Sequence, residues 1–130
     1  MRAVYIAHPL RGDVRGNTAR ASELCRKISR EFPDIVVVCP LMSFSFLDDE
    51  NPEERQKAIV YCLELLSRCD ELWLAGDWKN SEGCRKELRH AKAIGIPVSV
   101  VRVAGERVEV SGELLGRPVR LFGLSQQSGG

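Results

Sequence analysis

A glutamate on the apolar face of a predicted helix is the first residue whose position needs a chemical explanation. The stretch NSEGCRKELRHA, residues 80–91, predicts the start of a helix. At about 100° per residue, its apolar stripe contains four side chains: Cys84, Leu88, Ala91 and Ile94. Glu87 lies within that stripe, whereas the other charged residues of the segment lie on the opposite face.

A carboxylate that faces a protein core is costly unless it is hydrogen-bonded or its pKa rises. Glu87 is therefore either a structural residue bonded to the backbone or an arginine, or a functional group facing a ligand. Gly83, one turn earlier on nearly the same side, opens space for a ligand. Ser81 at the predicted N-cap either holds the helix end or contacts a ligand oxygen. The pattern alone leaves these alternatives open.

The segment HPLRGDVRGN, residues 8–17, follows a predicted strand and carries a second set of polar groups. Arg11 and Arg15 lie beside two glycines, and Asn17 stands at the predicted start of a helix. Backbone N–H groups at a helix N-terminus together with an arginine predict an anion site. The alternative is a surface turn with solvated arginines, because neither the dinucleotide-binding nor the Walker glycine pattern is present.

Four short β-rich runs alternate with helical segments. The strands are predicted at residues 3–7, 35–39, 71–75 and 97–103. The second helix opens with NPEER, in which Asn51 caps, Pro52 suits the first position and Glu54 closes a capping box. This order predicts a single α/β domain with a mainly parallel sheet of four to five strands and helices on both faces.

Two further segments are predicted beyond that unit. Residues 107–110 and 118–122 read as short strands joined by a glycine-containing turn, an antiparallel edge or a small hairpin. The domain is expected to span residues 1–124, and residues 125–130 form a predicted disordered tail.

Ligands of open parallel sheets bind at the carboxyl ends of the strands, so the loops at residues 8–17 and 76–83 are expected to face each other. The long segment 40–54 is predicted to be a lid or an interface element. Alternatively, its apolar residues cover the core or a partner subunit.

Composition narrows the classes of function. A chain of 130 residues has room for one domain, and a net charge of +1 gives no general attraction to nucleic acid or an anionic membrane. No signal peptide, membrane span, flavin, NAD or P-loop pattern is recognised, so we expect a cytoplasmic protein without a cofactor. Five scattered cysteines without a C-x-x-C pair predict buried reduced thiols and no metal site.

The segments VYIAHPLRG, CDELWLAG and SEGCRKELRHAKAIGIPV together resemble the nucleoside 2-deoxyribosyltransferase-like superfamily. That group includes deoxyribosyltransferases and 2′-deoxynucleoside 5′-phosphate N-hydrolases. The likeness covers about residues 1–101 and is closest to a bacterial and phage branch. It implies a flavodoxin-like, Rossmann-like three-layer sandwich.

The resemblance also implies roles for individual residues. Glu87 matches the glutamate nucleophile that attacks C1′ of the deoxyribose, and Ser81 and Gly83 match the positions upstream of it. The first loop would place Leu10, Arg11 and Gly12 around a 5′-phosphate, with Pro9 in place of a serine. The remaining expected substrate-binding residues are Tyr5, His8 and Asn17.

One position departs from the superfamily pattern. Cys62 stands where the enzymes carry an aspartate on the preceding helix. Two hypotheses follow: an N-glycosidic hydrolase or deoxyribosyltransferase acting on a nucleoside or nucleoside 5′-monophosphate, or a non-catalytic module that binds a nucleotide or similar phosphorylated ligand. The resemblance further implies a homodimer or higher homo-oligomer.

Overall fold

The alternation of strands and helices predicted from the sequence is present in the computed structural model, which describes residues 1–112 and 120–122. The strands are β1 Arg2–Ala7, β2 Ile35–Val38, β3 Glu71–Leu74, β4 Val98–Ala104, β5 Arg107–Ser111 and β6 Arg120–Phe122. The helices are α1 Val14–Glu31, α2 Pro40–Ser43, α3 Pro52–Ser67 and α4 Glu82–Ile94, with a 3-10 turn at Trp78–Asn80.

The strands form one sheet in the order β2-β1-β3-β4-β5-β6. The first four are mutually parallel, β5 runs antiparallel to β4, and β6 runs antiparallel to β5. The predicted α/β class, the mainly parallel sheet and the C-terminal β extension are therefore confirmed. The predicted turn between the last two strands and the predicted tail at 125–130 lie outside the described residues.

Two apolar layers cover the two faces of the sheet. Successive residues of β1 point to opposite faces, so Val4 and Ile6 pack with α1, whereas Tyr5 and Ala7 pack with α3 and α4. On the α1 side, Phe32 meets Trp73 edge to face with ring centroids 5.4 Å apart. The alternation of side chains along β1 therefore places Tyr5 on the side of the sheet that α4 covers.

The start of α1 and one hydrogen bond of the α3 cap differ from prediction. Helix α1 begins at Val14, one turn before the expected Asn17, because the Asp13 carboxylate accepts the Gly16 N–H at 3.0 Å and caps the helix. Asn51 caps α3 as predicted, but Glu54 accepts the N–H of Asp48 at 2.8 Å and does not close a capping box. The Asn51 N–H donates instead to the Asp48 carbonyl at 3.1 Å.

The long segment 40–54, predicted to be a lid or an interface element, contains the short helix α2, which starts with a proline at its first position. All five cysteines are free thiols as predicted, although Cys25 and Cys62 are only half-buried. Within the described residues, no helix combines the length and the apolar character that crossing a membrane requires.

Helix α4 has the predicted caps. Ser81 accepts the Cys84 N–H at 3.2 Å, and Gly95 ends the helix in the left-handed region at φ 81°. Ile94 was expected on the buried stripe, but its side chain is 43% exposed. Burial along the stripe ends at Ala91, and the last turn carries Ile94 past the packed part of the helix.

Candidate functional site

A cavity of about 1180 Å³ lies at the carboxyl end of the parallel strands, where the loops after β1 and β3 meet. The α2 region and the first turns of α3 and α4 complete its wall. Most of the residues that the sequence singled out line this cavity: His8, Leu10, Arg11, Asn17, Ser81, Gly83 and Glu87. Tyr5 and Gly12 lie outside the lining.

Glu87 is buried although it lines the cavity, with 7% of its surface exposed. Its Oε2 accepts a hydrogen bond from the hydroxyl of Tyr5, so the carboxylate has a partner within the core. Burial raises the pKa of Glu87 to about 7, and the Tyr5 hydrogen bond opposes this rise by favouring the charged form. A carboxyl group with this pKa is present in both its neutral and its ionised form near neutral pH.

Tyr5 is fully buried on β1 and lies behind Glu87 as seen from the cavity. Burial, and next the negative charge of Glu87, raise the pKa of Tyr5 well above its usual value of 10. The hydroxyl therefore keeps its proton at neutral pH and acts as a donor. Its contact is with the carboxylate, so Tyr5 positions Glu87 from behind.

Cys62 stands beside this pair and lines the cavity. Its thiol interacts with the Tyr5 hydroxyl, and burial, followed by the charge of Glu87, raises the pKa of Cys62 to about 12. The thiol is therefore neutral at physiological pH. It contributes neither the charge nor the paired oxygen atoms of an aspartate.

The loop after β1 is held by neighbouring side chains. The Asn17 amide, inside α1, donates to the Leu10 carbonyl at 3.0 Å. Arg11 pairs with Asp49 at 3.4 Å, and this ion pair joins the loop to the segment before α3. His8 contacts the Pro9 carbonyl through Nδ1 at 2.8 Å, and burial lowers the pKa of His8 below its usual 6.5. At neutral pH the imidazole is therefore uncharged.

Gly76 is a residue of this site that no sequence motif marks. It follows β3 with φ at 60°, and a Cβ atom there would lie 3.2 Å from Nε2 of His8 and 3.3 Å from Cδ of Pro9. A side chain here would strain this backbone conformation and crowd the contact between the two loops, so glycine suits the position. A glycine directly after a buried strand was the available signal.

The family of the chain follows from its sequence. The model of the family described as "Domain of unknown function (DUF7768)" matches residues 2–101. The chain belongs to this family. The matched range extends from β1 into β4 and includes the whole cavity lining. No curated protein matches the DUF7768 chain.

A solved structure, the 2-deoxyribosyltransferase from the psychrotolerant bacterium Bacillus psychrosaccharolyticus, is similar to the DUF7768 chain with a TM-score of 0.59 and 19% identity. The alignment covers 75% of this chain and 70% of the other. The two proteins thus share a fold, which confirms the fold relationship that the sequence resemblance implied. The assignment to a bacterial and phage branch stays a prediction.

The segment between β2 and α3 of the DUF7768 chain lies against the cavity through Phe44 and Leu47. Phe44 packs against Tyr61 with ring centroids 5.4 Å apart, whereas Phe46 is 71% exposed. Across the described residues, no group of three metal-ligating side chains lies together. The chemical groups that line the cavity include a buried carboxylate, a neutral thiol, a neutral imidazole and several surface charges.

Proposed function

We propose that this DUF7768 domain breaks the N-glycosidic bond of a nucleoside or nucleotide, with Glu87 as the nucleophile. The observation that carries the proposal is a buried glutamate that lines a ligand-sized cavity while the Tyr5 hydroxyl holds its carboxylate from the core side. The fold shared with a 2-deoxyribosyltransferase supports this choice of reaction.

In the proposed reaction, a carboxylate oxygen of Glu87 attacks C1′ of the sugar through an oxocarbenium-like transition state. The C1′–N bond breaks, its electron pair leaves with the base, and the base takes up a proton from solvent water. The intermediate is a glycosyl ester on Glu87. Attack on C1′ by water then gives hydrolysis, whereas attack by a second base gives transfer. In both cases the C1′–O bond to Glu87 breaks, the carboxylate is regenerated, and the attacking molecule gives up a proton to solvent.

The Tyr5 hydrogen bond serves this chemistry in two ways. It fixes the direction of one carboxylate oxygen, Oε2, which leaves the other oxygen available for the sugar. It also favours the ionised form of a group whose pKa burial has raised to about 7. Because only the ionised form is nucleophilic, the rate should rise as the pH increases through this value.

A second candidate function is a non-catalytic module that binds a nucleoside or nucleotide in the same cavity. The observation that favours it is Cys62, whose neutral thiol lies beside Tyr5 where the resemblance implied a carboxylate. Binding would use the same lining without bond cleavage. The two candidates differ in the expected effect of Glu87→Gln on base release, because only the enzyme uses Glu87 as a nucleophile.

The test is a screen of purified protein against nucleosides and nucleoside 5′-monophosphates, with released base measured by chromatography. Wild type is compared with Glu87→Gln and with Glu64→Gln, a control at an exposed glutamate paired with Arg68 on α3. Release by the wild type and the control, but not by Glu87→Gln, supports the enzyme. If no base is released at high protein concentration while a ligand still raises the melting temperature, the binding module is the correct function.

A further inference from the structure

The cavity carries more negative than positive charge. Apart from Glu87, six acidic residues line it: Asp48, Asp49, Glu50, Glu54, Asp77 and Glu82. Four basic residues line it: Arg11, Arg20, Arg55 and Lys86. A phosphate monoester carries close to two negative charges at neutral pH, so its entry into this lining is opposed by the net charge.

The basic side chains are already engaged by carboxylates. Arg55 and Lys86 both approach Glu82, at 3.4 and 4.0 Å, and Arg20 pairs with Asp13 at 3.2 Å. Arg11 is the cation that the loop after β1 brings to the cavity, and it pairs with Asp49 at 3.4 Å.

The segment that carries Asp49 is held in place by hydrogen bonds on both sides of that residue. The Asp48 N–H donates to Glu54 Oε1 at 2.8 Å, and the Glu50 N–H donates to Asp48 Oδ1 at 2.9 Å. The Asp49 side chain is 20% exposed, whereas that of Arg11 is 53% exposed. The Asp49 carboxylate is thus the more restrained partner of the pair, and it orients the more exposed side chain of Arg11.

We infer that Asp49 is a specificity-determining residue: by pairing with Arg11 it weakens the binding of 5′-phosphorylated ligands, so that the cavity prefers unphosphorylated nucleosides. This inference rests on the proposed function for the identity of the ligand class. The proposed reaction allows both nucleosides and nucleoside 5′-monophosphates as substrates, and this inference favours the nucleosides. A phosphate that displaced Asp49 from Arg11 would still face Asp48 and Glu50 on the same segment.

The test measures binding and not turnover. Dissociation constants for the four common 2′-deoxynucleosides and their 5′-monophosphates are determined by calorimetry on the Glu87→Gln protein. Asp49→Asn is then added, with Asp48→Asn as a matched control that removes the same charge from the neighbouring position without freeing Arg11. A triple variant that also carries Arg11→Gln tests whether any gain depends on the arginine.

We expect the nucleosides to bind more tightly than their monophosphates. Asp49→Asn should tighten monophosphate binding about fivefold relative to nucleoside binding, because a partly exposed ion pair is worth up to about 1 kcal/mol. Asp48→Asn should have a smaller effect, and Arg11→Gln should abolish the gain.

Monophosphates that bind as tightly as nucleosides, equal effects of the two asparagine variants, or binding of neither ligand series would overturn the inference. Failure of the proposed function appears separately, as wild-type protein that binds nucleosides with this preference but releases no base.

Discussion

Replacing Glu87 with glutamine should make the stability of the protein less dependent on pH. In the folded state burial raises the pKa of this carboxyl from 4.5 to about 7. Between these values the folded state binds more protons than the unfolded state, so the free energy of unfolding falls as the pH rises. At about 1.4 kcal/mol per pH unit, ionised Glu87 costs the folded protein about 3 kcal/mol above pH 7. Glutamine removes this cost and keeps an oxygen that accepts the Tyr5 hydrogen bond.

Urea unfolding followed by tryptophan fluorescence measures this difference, because Trp73 is 1% exposed in the folded state. Wild type and Glu87→Gln are compared at several values from about pH 5 to about pH 8, and the stability of the variant relative to wild type should grow by about 2–3 kcal/mol over this range. The lowered pKa of His8 has the opposite effect on stability, which falls as the pH drops below 6.5. His8 is present in both proteins, so its contribution cancels in the comparison. Parallel pH profiles for the two proteins would refute the assignment of a raised pKa to Glu87.

Two further substitutions test the surroundings of the carboxylate. Tyr5→Phe removes a hydrogen bond to a charged group, which is worth about 1.5–3 kcal/mol. It should therefore raise the pKa of Glu87 and shift the acidic limb of the pH–rate profile upward by about one to two pH units. An unshifted profile with a uniformly lower rate would contradict this role of Tyr5. Gly76→Ala should lower the melting temperature more than Gly105→Ala does, since both glycines have positive φ but only a Cβ at position 76 meets His8, at 3.2 Å. If thermal denaturation shows the same decrease in melting temperature for both variants, the close approach of the two loops does not restrict the residue at position 76.

Helical periodicity was sufficient to identify Glu87 as an inward-facing carboxylate, because the positions of side chains around a helix follow from local geometry. The alternation of strands and helices was likewise sufficient for the parallel sheet, since crossover connections allow few topologies. Ile94 shows the limit of this reasoning. The wheel gives the direction of a side chain but not whether a neighbouring element covers it.

The contacts of the site are harder to predict from the sequence, because they join residues that are far apart in the chain. Tyr5 and Glu87 are 82 residues apart, and their hydrogen bond depends on which face of the sheet α4 covers. The pairing of Arg11 with Asp49 depends on how the segment after α2 folds, and that helix was not predicted. The position of Gly76 after a strand was visible in the sequence, but its close approach to His8 and Pro9 depends on how the loop after β1 lies against it.

The most direct measurement of the central claim is mass spectrometry of the protein after rapid acid quenching during turnover of a nucleoside. The proposed mechanism predicts a peptide that contains Glu87 and carries one added glycosyl group from the nucleoside, formed by wild type and Glu64→Gln and absent from Glu87→Gln. An adduct on another residue, or base release by Glu87→Gln at the wild-type rate, would contradict the role of Glu87 as the nucleophile.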